Sequence, residues 1–416
     1  MPTTSPERSQ DIYEPGFFCE SVDFYRKGGF HPVHIGDIIH EQYEVVNKLG
    51  YGAYATVWLV KDVRSGRYAS LKILAAEATN NASEVAVLRR LQAIQADPQD
   101  TPGAEFVMKV FDDFTVDGPN GTHQCIVTEV LGPHLATELD LLWGSNEESG
   151  RIADAKYPLE MKRERYPIDT AKQIVAQIAL GVAYLHRVGI VHGDLHLGNV
   201  LLYAPEMERW SVQDIQKYFK PPRRDPLIRK DGKPTTSDPH VPRYVVPATP
   251  SVALLELCAI NTTHIKICDF GEAFLLDNEP KHIELHTPAV YAAPEIIFRD
   301  PVTPAVDVWR RPSSPEVVRG MVVALGKLPD RWWSKWGERS EWFDDEGVLI
   351  ASEVRVKRGL LDNLSSRMGG EEIGEFEKLV RRMVCYQVED RISAEGVVQS
   401  IPADWIEGGA GHMKYE

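Results

Sequence analysis

The first third of the chain contains several short stretches in which apolar and polar side chains alternate. The stretch from Tyr43 to Asp62 (YEVVNKLGYGAYATVWLVKD) alternates on both sides of a glycine turn, and Gly66 to Leu74 continues as a third strand. Alternation with a period of two is typical of strands that bury one face. Together with two later stretches, FVMKVFDDFTV and HQCIVTEVLG, the pattern predicts an antiparallel sheet of five strands.

One helix is predicted within this region. Ala82 to Ile94 (ASEVAVLRRLQAI) carries apolar residues at helical spacing, which predicts a helix with Val85, Leu88 and Leu91 on one face. Residues 41–132 therefore form a predicted first lobe of five strands and one helix. Residues 1–40 are mixed polar and aromatic. We expect them to be an ordered extension without a compact unit of their own.

The second part of the chain is predicted to be mainly helical. Thr170 to His186 places apolar side chains on one stripe, ends near Gly189 and leads into the turn HGDLHLGN. A polar, proline-rich segment at about 204–250 is expected to interrupt this lobe as a partly flexible insert. The chain resumes with a strand in HIKICDFGEAF and finishes with amphipathic helices such as Phe376 to Cys385. We assign residues 133–406 to this lobe and predict an α+β fold with two lobes.

The composition of the chain excludes several classes of protein. With 416 residues and a formal net charge of −15, the chain is a poor candidate for direct nucleic-acid binding and favours basic partners. The five cysteines are odd in number and form no CxxC pair, which is typical of reduced intracellular thiols. The polar start MPTTSPERSQ and the lack of an apolar run of ~18 residues predict a soluble protein with no membrane segment.

The turn HGDLHLGN, His192 to Asn199, carries the most informative chemistry. It places the carboxylate of Asp194 and the carboxamide of Asn199 five residues apart, beside an apolar helix. Phosphoryl transfer from a metal nucleotide uses this spacing, with the aspartate accepting the proton of an attacking hydroxyl and the asparagine holding Mg²⁺. The sequence therefore indicates a phosphotransferase.

Three weaker signals lie in the predicted first lobe. The glycines at 50 and 52 fall between two strands, where backbone N–H groups can approach phosphate oxygens, although the third glycine of such loops is replaced by Ala55. An ordinary hairpin turn explains the same residues. Lys72 lies on the next strand and Glu84 on the following helix, so the two can pair through space. An exposed strand lysine and a surface glutamate are the alternatives for these positions.

Three further signals follow the turn from His192 to Asn199, hereafter called the catalytic turn. Asp269-Phe270-Gly271 comes after a β-branched strand, so the carboxylate emerges at the strand end, where a second metal contact is needed. Glu295 of Ala293-Pro294-Glu295 and Arg391 of Asp390-Arg391 are predicted to form a buried ion pair that braces the substrate-side loop. Each motif alone arises by chance. Their joint occurrence in the order used by kinases favours a kinase fold.

These residues make the chain resemble a eukaryotic protein kinase, similar to the SR-protein kinase family in its fungal branch. The resemblance extends over most of residues 24–406 and includes FYRKGGFHPVHIGDIIHEQYEVVNKLG, TVWLVKD, EVLG and LGKLPDRWWSKW. It implies a bilobal kinase fold and a serine/threonine kinase that uses ATP and Mg²⁺ to phosphorylate serines of basic Arg/Ser-rich proteins. It also implies a monomer located in the cytoplasm, the nucleus or both.

The same resemblance implies roles for the residues of the first lobe. Gly50, Gly52 and Val57 would cover ATP, Lys72 would hold its phosphates, and Glu84 would position Lys72. Further cofactor contacts are implied at the gatekeeper, at the hinge and after the catalytic turn, namely at Thr128, at Glu129 to Leu131 and at Leu201.

In the catalytic turn, the resemblance makes Asp194 the base, with Asn199 and Asp269 as metal ligands, but two neighbours depart from the family pattern. The arginine expected before the base is Gly193, so no guanidinium is available for an activation-loop phosphate. The lysine expected two residues after the base is His196, and neutral imidazole stabilises a transferring phosphoryl group less well. We retain His196 as a catalytic residue, because the pattern HGDLHxGN also resembles aminoglycoside phosphotransferases.

The largest departure follows Asp307-Val308-Trp309. Two prolines at 312 and 315 replace the start of a long helix, and roughly thirty residues of the family pattern are absent near 310–316. Two alternatives to an active protein kinase therefore stay open. The first alternative is a pseudokinase or scaffold that has lost activity through this shortened second lobe. The second, which His196 suggests, is a small-molecule phosphotransferase.

Overall fold

The computed structural model describes residues 13–14, 19–79, 82–96, 101–135, 166–232, 238–248, 258, 264–276, 283–309, 317–350 and 368–410. The chain divides into two compact units. The first comprises Met1–Asp97, Met108–Pro133 and Ala204–Ile260, and the second comprises Pro98–Val107, His134–Tyr203 and Asn261–Glu416. The predicted α+β class is confirmed. No helix in the described part of the chain is both long and apolar enough to span a membrane.

The first unit is built on an antiparallel sheet of six strands. These are β1 (Ile38–Ile39), β2 (Tyr43–Tyr51), β3 (Ala55–Asp62), β4 (Tyr68–Leu74), β5 (Val110–Gly118) and β6 (Gly121–Thr128). Their order in the sheet is β1-β2-β3-β4-β6-β5. The five strands predicted from alternation are all present. The sixth, β1, comes from the predicted extension and pairs with the start of β2, so the sheet begins before the predicted lobe does.

Helix α1 (Ala82–Ala96) lies between β4 and β5 in the chain, as predicted. The predicted buried face is wrong by part of a turn, because Val87 is buried with Leu88 and Leu91 whereas Val85 is only half-buried. Glu84 is buried on the same face, at helical spacing from these three residues. The face of α1 therefore includes a charged residue that a purely apolar pattern cannot reveal.

The segment predicted to be an insert in the second lobe belongs to the first unit instead. It contains the helix α3 (Val212–Tyr218) and the short strands β9 (Asp225–Pro226) and β10 (Tyr244–Val245). Leu227 and Val245 pack in one cluster with Tyr25 and Phe30 of the N-terminal extension, and Val246 enters the core of the sheet. Burial of these apolar side chains explains why a segment of polar composition is ordered where it is described.

The second unit is mainly helical, as predicted. Its helices are α2 (Ile168–Arg187), α4 (Pro294–Ile297), α5 (Val317–Leu325), α6 (Asp330–Trp333), α7 (Arg339–Trp342), α8 (Gly370–Met383), α9 (Ala394–Ser400) and α10 (Ala403–Ala410). Its strands form two antiparallel pairs, β7 (Ile190–Val191) with β12 (Phe274–Leu275) and β8 (Val200–Tyr203) with β11 (His264–Ile267). These two pairs flank the turn that carries Asp194.

The apolar core beneath this turn includes α5. Met321 of α5 packs in one buried cluster with Val191, Phe274 and Trp309. The predicted deletion near 310–316 lies outside the described residues. A helix that follows it nevertheless supplies apolar contacts to the strand leading into the catalytic turn, so this turn retains support from the second unit.

The predicted pair of Glu295 and Arg391 is present and fully buried, with side-chain exposures of 1% and 0%. The guanidinium donates through Nη1 to Oε1 at 2.6 Å and through Nη2 to Oε2 at 3.0 Å. It also donates to the carbonyl oxygens of Ala305 and Cys385 and lies 4.9 Å from the ring centroid of Trp309. The pair thus joins α4 to the segment before α9.

We predict that Arg391→Ala lowers the free energy of unfolding by about 3–5 kcal/mol, because it leaves the Glu295 carboxylate buried and unpaired. Denaturant unfolding followed by tryptophan fluorescence measures this change. The matched control is Lys378→Ala, which removes an exposed ion pair with Glu375 on α8 and should leave the unfolding midpoint in place. Equal midpoints for both variants would contradict the assignment of Arg391 as a brace.

Candidate active site

The residues predicted to hold a nucleotide line up across the sheet of the first unit. In the strand register, Gly50 of β2 lies opposite Val57 of β3, and Val57 lies opposite Lys72 of β4. Lys72 in turn lies opposite Ile126 of β6. The order of the strands therefore brings the glycine turn and the lysine together, although Gly50 and Lys72 are 22 positions apart in the sequence.

Lys72 and Glu84 form the predicted ion pair, with 3.3 Å between Nζ and Oε1. The Glu84 side chain is 5% exposed and that of Lys72 is 26% exposed. A buried carboxylate from α1 thus holds an ammonium group that retains access to solvent. This arrangement distinguishes Lys72 from an ordinary exposed strand lysine, the alternative that the sequence left open.

The segment predicted to be the hinge follows β6. Thr128 and Glu129 are buried, and Leu131 is half-buried. The Glu129 side chain accepts a hydrogen bond from the Lys109 backbone N–H at 2.7 Å, and the Glu129 N–H donates to the Lys109 carbonyl at 3.2 Å. These bonds fix the backbone of the segment in the first unit. Leu201, the remaining predicted cofactor contact, is half-buried on β8 in the second unit.

In the second unit, the carboxylate of Asp307 holds the catalytic turn. Its Oδ2 accepts the His192 backbone N–H at 2.8 Å and Nε2 of His186 at 2.9 Å, and its Oδ1 accepts the Gly193 N–H at 2.8 Å. Burial alone would raise the pKa of Asp307, but the bonds from His186 and His192 outweigh it and hold the pKa below its usual range. The carboxylate is therefore ionised where it accepts these bonds.

Two imidazole rings then orient the base. The His192 ring bonds to the Cys268 carbonyl through Nε2 at 2.9 Å, and its Nδ1 accepts the Asp194 N–H at 3.3 Å. Nδ1 of His196 accepts the Gly198 N–H at 3.0 Å, so the proton of a neutral His196 ring lies on Nε2, 3.4 Å from Oδ2 of Asp194. The imidazole N–H of His196 thus faces the carboxylate of the base.

Asn199 also contacts the base. Its Nδ2 donates to the backbone oxygen of Asp194 at 2.9 Å and to Oδ2 of the same residue at 3.3 Å. Because the amide nitrogen serves as the donor, the amide oxygen is the atom suited to a metal ion. The Cys268 N–H donates to the Asn199 carbonyl at 2.9 Å, which places Asp269 directly after the residue that bonds to Asn199. The backbone segments that carry the two predicted metal ligands are therefore hydrogen-bonded to each other.

The backbone of the turn explains why no arginine precedes the base. Gly193 has φ +77°, and a Cβ at this position would lie 2.6 Å from the Glu272 carbonyl oxygen. An L side chain is strained in this conformation and would also collide with backbone. Instead, the Gly193 carbonyl accepts the hydroxyl of Thr287 at 2.7 Å, so the activation segment contacts the turn directly.

The donor set fits a divalent cation and a phosphate ligand. No group of three or more His, Cys, Asp or Glu side chains arranged for a metal occurs among the described residues. The oxygens of Asp269 and Asn199 instead suit a hard cation whose remaining ligands are phosphates and waters. A Cβ at Gly50 or at Gly52 would meet no atom within 4 Å, so the loop surface is open to phosphate groups.

Reasoning from the sequence missed the carboxylate of Asp307 as the acceptor that holds the turn. In the sequence pattern, Asp307-Val308-Trp309 marks only the point after which a long helix is expected. The available signal was an acidic residue between apolar neighbours, since a buried carboxylate requires hydrogen-bond donors. His186, which shares this carboxylate, lies in the last turn of α2, where the helical pattern gave no indication of its role.

Comparison with known proteins agrees with this geometry. Residues 43–214 match the protein kinase domain family. A serine/threonine protein kinase of Aspergillus fumigatus is 26% identical over 398 residues, which cover 90% of this chain and 88% of the relative. The serine/threonine-protein kinase SRPK of Physarum polycephalum is 25% identical and covers 90% of this chain and 89% of its own length. Human SRSF protein kinase 3 is 34% identical over 180 residues, or 43% of this chain and 28% of that protein.

A crystallised kinase domain shares the fold, with a TM-score of 0.54 at 17% identity over 90% of this chain and 98% of that domain. The bilobal kinase fold predicted from the ordered motifs is therefore confirmed. The domain match and the named relatives carry the assignment further than the fold alone. Together they support a serine/threonine protein kinase of the eukaryotic type that is similar to the SR-protein kinases.

Proposed function

We propose that this kinase transfers the γ-phosphate of ATP, bound with Mg²⁺, to serines of basic Arg/Ser-rich proteins. The observation that carries the proposal is the arrangement around Asp194, whose Oδ2 lies 3.3 Å from the amide nitrogen of Asn199 and 3.4 Å from Nε2 of His196. An oriented carboxylate beside an amide and a hydrogen-bond donor suits the acceptance of a proton from a substrate hydroxyl.

In the proposed reaction, Asp194 accepts the serine proton while the oxygen attacks the γ-phosphorus and the bond to the β-phosphate oxygen breaks. Lys72, held by Glu84, would neutralise charge on the phosphates, and the N–H groups of the glycine loop would bind phosphate oxygens. His196, in the place of the usual lysine, would direct its Nε2 proton at the carboxylate of Asp194 and so help to orient the base. Mg²⁺ held by Asn199 and Asp269 would supply charge neutralisation between the phosphates.

Charge and relationship support a basic protein substrate. The net charge of −15 favours association with a cationic chain. This attraction weakens as the salt concentration rises, because salt screens the charges. One relative is named for SRSF proteins, and another for the SRPK type. The buried pair of Glu295 and Arg391, which braces the segment after the activation loop, also favours a protein substrate over a small molecule. No described contact favours the pseudokinase alternative.

We expect the purified chain to phosphorylate an alternating Arg/Ser peptide in the presence of Mg·ATP. A Gln/Ser peptide with the same serines should react far more slowly, and the difference should shrink at high ionic strength, because the attraction between the acidic kinase and the arginines is screened. An Arg/Ala peptide is the blank. Equal rates for the first two peptides would remove the basic-substrate proposal, and transfer only to a small alcohol would favour the small-molecule alternative.

Lys72→Ala and Asp269→Ala should each lower kcat by a factor on the order of 10²–10³ or more, because the first removes the positive charge that neutralises the phosphates and the second removes a ligand of Mg²⁺. Steady-state kinetics with the Arg/Ser peptide measures the loss. Lys61→Ala, which removes a lysine from the neighbouring strand β3, is the matched control and should retain activity. Full activity in both test variants would overturn the site assignment.

Activity should not depend on phosphorylation of the activation segment. Between Gly271 and Ala293 the only hydroxyls belong to Thr287 and Tyr291, and Gly193 offers no guanidinium to a phosphate. Phosphatase treatment, verified by mass spectrometry, should therefore leave kcat unchanged. Thr287→Glu should lower kcat, because it replaces the hydroxyl that donates to the Gly193 carbonyl with a charge. A large loss of activity after dephosphorylation would contradict this reasoning.

A further inference from the structure

A buried ion pair joins the N-terminal extension to the strand that enters the glycine loop. Nζ of Lys48 donates to Oε2 of Glu20, and the hydroxyl of Tyr25 donates to Oε1 of the same carboxylate. The Lys48 side chain is 0% exposed and that of Glu20 is 2% exposed. Both residues lie in the first unit, where the cluster of Tyr25, Phe30 and neighbouring apolar residues packs around the extension.

Lys48 lies on β2, two residues before Gly50, and contacts both strands of the loop. Its Nζ is 5.6 Å from the ring centroid of Tyr51, which ends β2, and 5.0 Å from that of Trp58 on β3. The strand register shifts between Lys48 and Gly50, so the backbone is irregular where the loop begins.

Trp58 connects Lys48 to β3, the strand that follows the loop. Its indole N–H donates to Oγ1 of Thr56 at 3.0 Å. Thr56 lies opposite Tyr51 in the register and is itself buried. The carboxylate of Glu20 is thus connected, through one ammonium group, to residues on both sides of the turn at Gly52.

A charged pair at this depth is a poor way to gain stability. Burial lowers the pKa of Lys48, and the neighbouring Glu20 carboxylate offsets only part of this effect. Removal of two charges from water is costly, and apolar side chains of similar volume often stabilise the folded state equally well or better. What such a pair supplies is a fixed geometry, because the buried ammonium group and the buried carboxylate keep their favourable interaction only in one relative position.

We propose that Glu20 and Lys48 are positioning residues for the glycine loop, through which the N-terminal extension sets the geometry of the backbone N–H groups that bind ATP. The inference rests on the proposed nucleotide function of Gly50 and Gly52. It assigns to the extension a role in nucleotide affinity that the loop motif alone does not contain.

The test compares Glu20→Gln, Lys48→Met and the double variant in the full chain. Each single change leaves one partner buried without its counter-charge, so affinity for Mg·ATP should fall by about tenfold or more, since small misplacements of binding groups have large effects. The double variant should recover part of the loss, which reveals the coupling of the two residues. KM for ATP should rise more than kcat falls, because neither side chain touches the reacting atoms.

Arg26→Gln is the matched control. Arg26 lies on the same extension and pairs with Glu77 at 3.6 Å, but both side chains are about half exposed (54% and 50%). The affinity of the Arg26→Gln variant for Mg·ATP should equal that of the unmodified chain, because an exposed ion pair contributes little. All measurements are made well below the melting temperature of the least stable variant, so that unfolded protein does not imitate weak binding.

Hydrogen exchange of the amides from Gly50 to Val57, measured without nucleotide, gives a second readout. Faster exchange in the single variants than in the control is expected. Unchanged exchange and unchanged ATP affinity, with only a lower melting temperature, would overturn the proposal and leave the pair a purely structural one. If the unmodified chain binds no ATP, the proposed function fails, and the exchange data still decide whether the pair positions the loop.

Discussion

The catalytic turn depends on the ionised carboxylate of Asp307. Two backbone N–H groups, those of His192 and Gly193, point into the protein at the place where the turn reverses, and neither has a strand partner there. Buried donors without acceptors cost about 1–3 kcal/mol each, so the turn needs an acceptor that can take both. Asp307 fulfils this need and binds His186 as well, which ties the turn to the end of α2. The positions of Asp194 and Asn199 follow from this attachment.

Buried charge recurs wherever the fold must join segments distant in sequence. Glu295 and Arg391 join the segment after the activation loop to the end of the second unit, and Glu84 on α1 fixes Lys72 on the sheet. In each case an apolar contact would contribute burial but would not specify one orientation. The active-site elements are thus placed by directional interactions, while the apolar clusters around them provide most of the favourable free energy.

The sequence was sufficient for the strands of the first unit and for the pairing of Lys72 with Glu84, because alternation and motif order depend on local chemistry. It was insufficient where long-range packing decides. The buried face of α1 differs from the predicted one because Glu84 must face Lys72, which places Val87 inside and leaves Val85 half-buried. The segment after Tyr203 was misplaced because its few apolar residues pack against an extension some 200 positions earlier in the chain, a contact that no local pattern encodes.

The two departures from the kinase pattern in the catalytic turn belong to one arrangement. Because a Cβ at Gly193 would lie only 2.6 Å from the Glu272 carbonyl oxygen, the turn has no phosphate-binding side chain at this position and contacts the activation segment directly. The hydroxyl of Thr287 completes that contact, and the ring of Tyr291 from the same segment stacks on His196 with centroids 5.2 Å apart. The segment therefore holds the imidazole whose Nε2 proton faces the base. A flexible lysine at this position would need no such support, whereas a planar ring that donates from one atom must be held in plane to be useful. The loss of the arginine and the gain of the histidine are thus physically linked, since both make the order of the activation segment a condition for the geometry of the base.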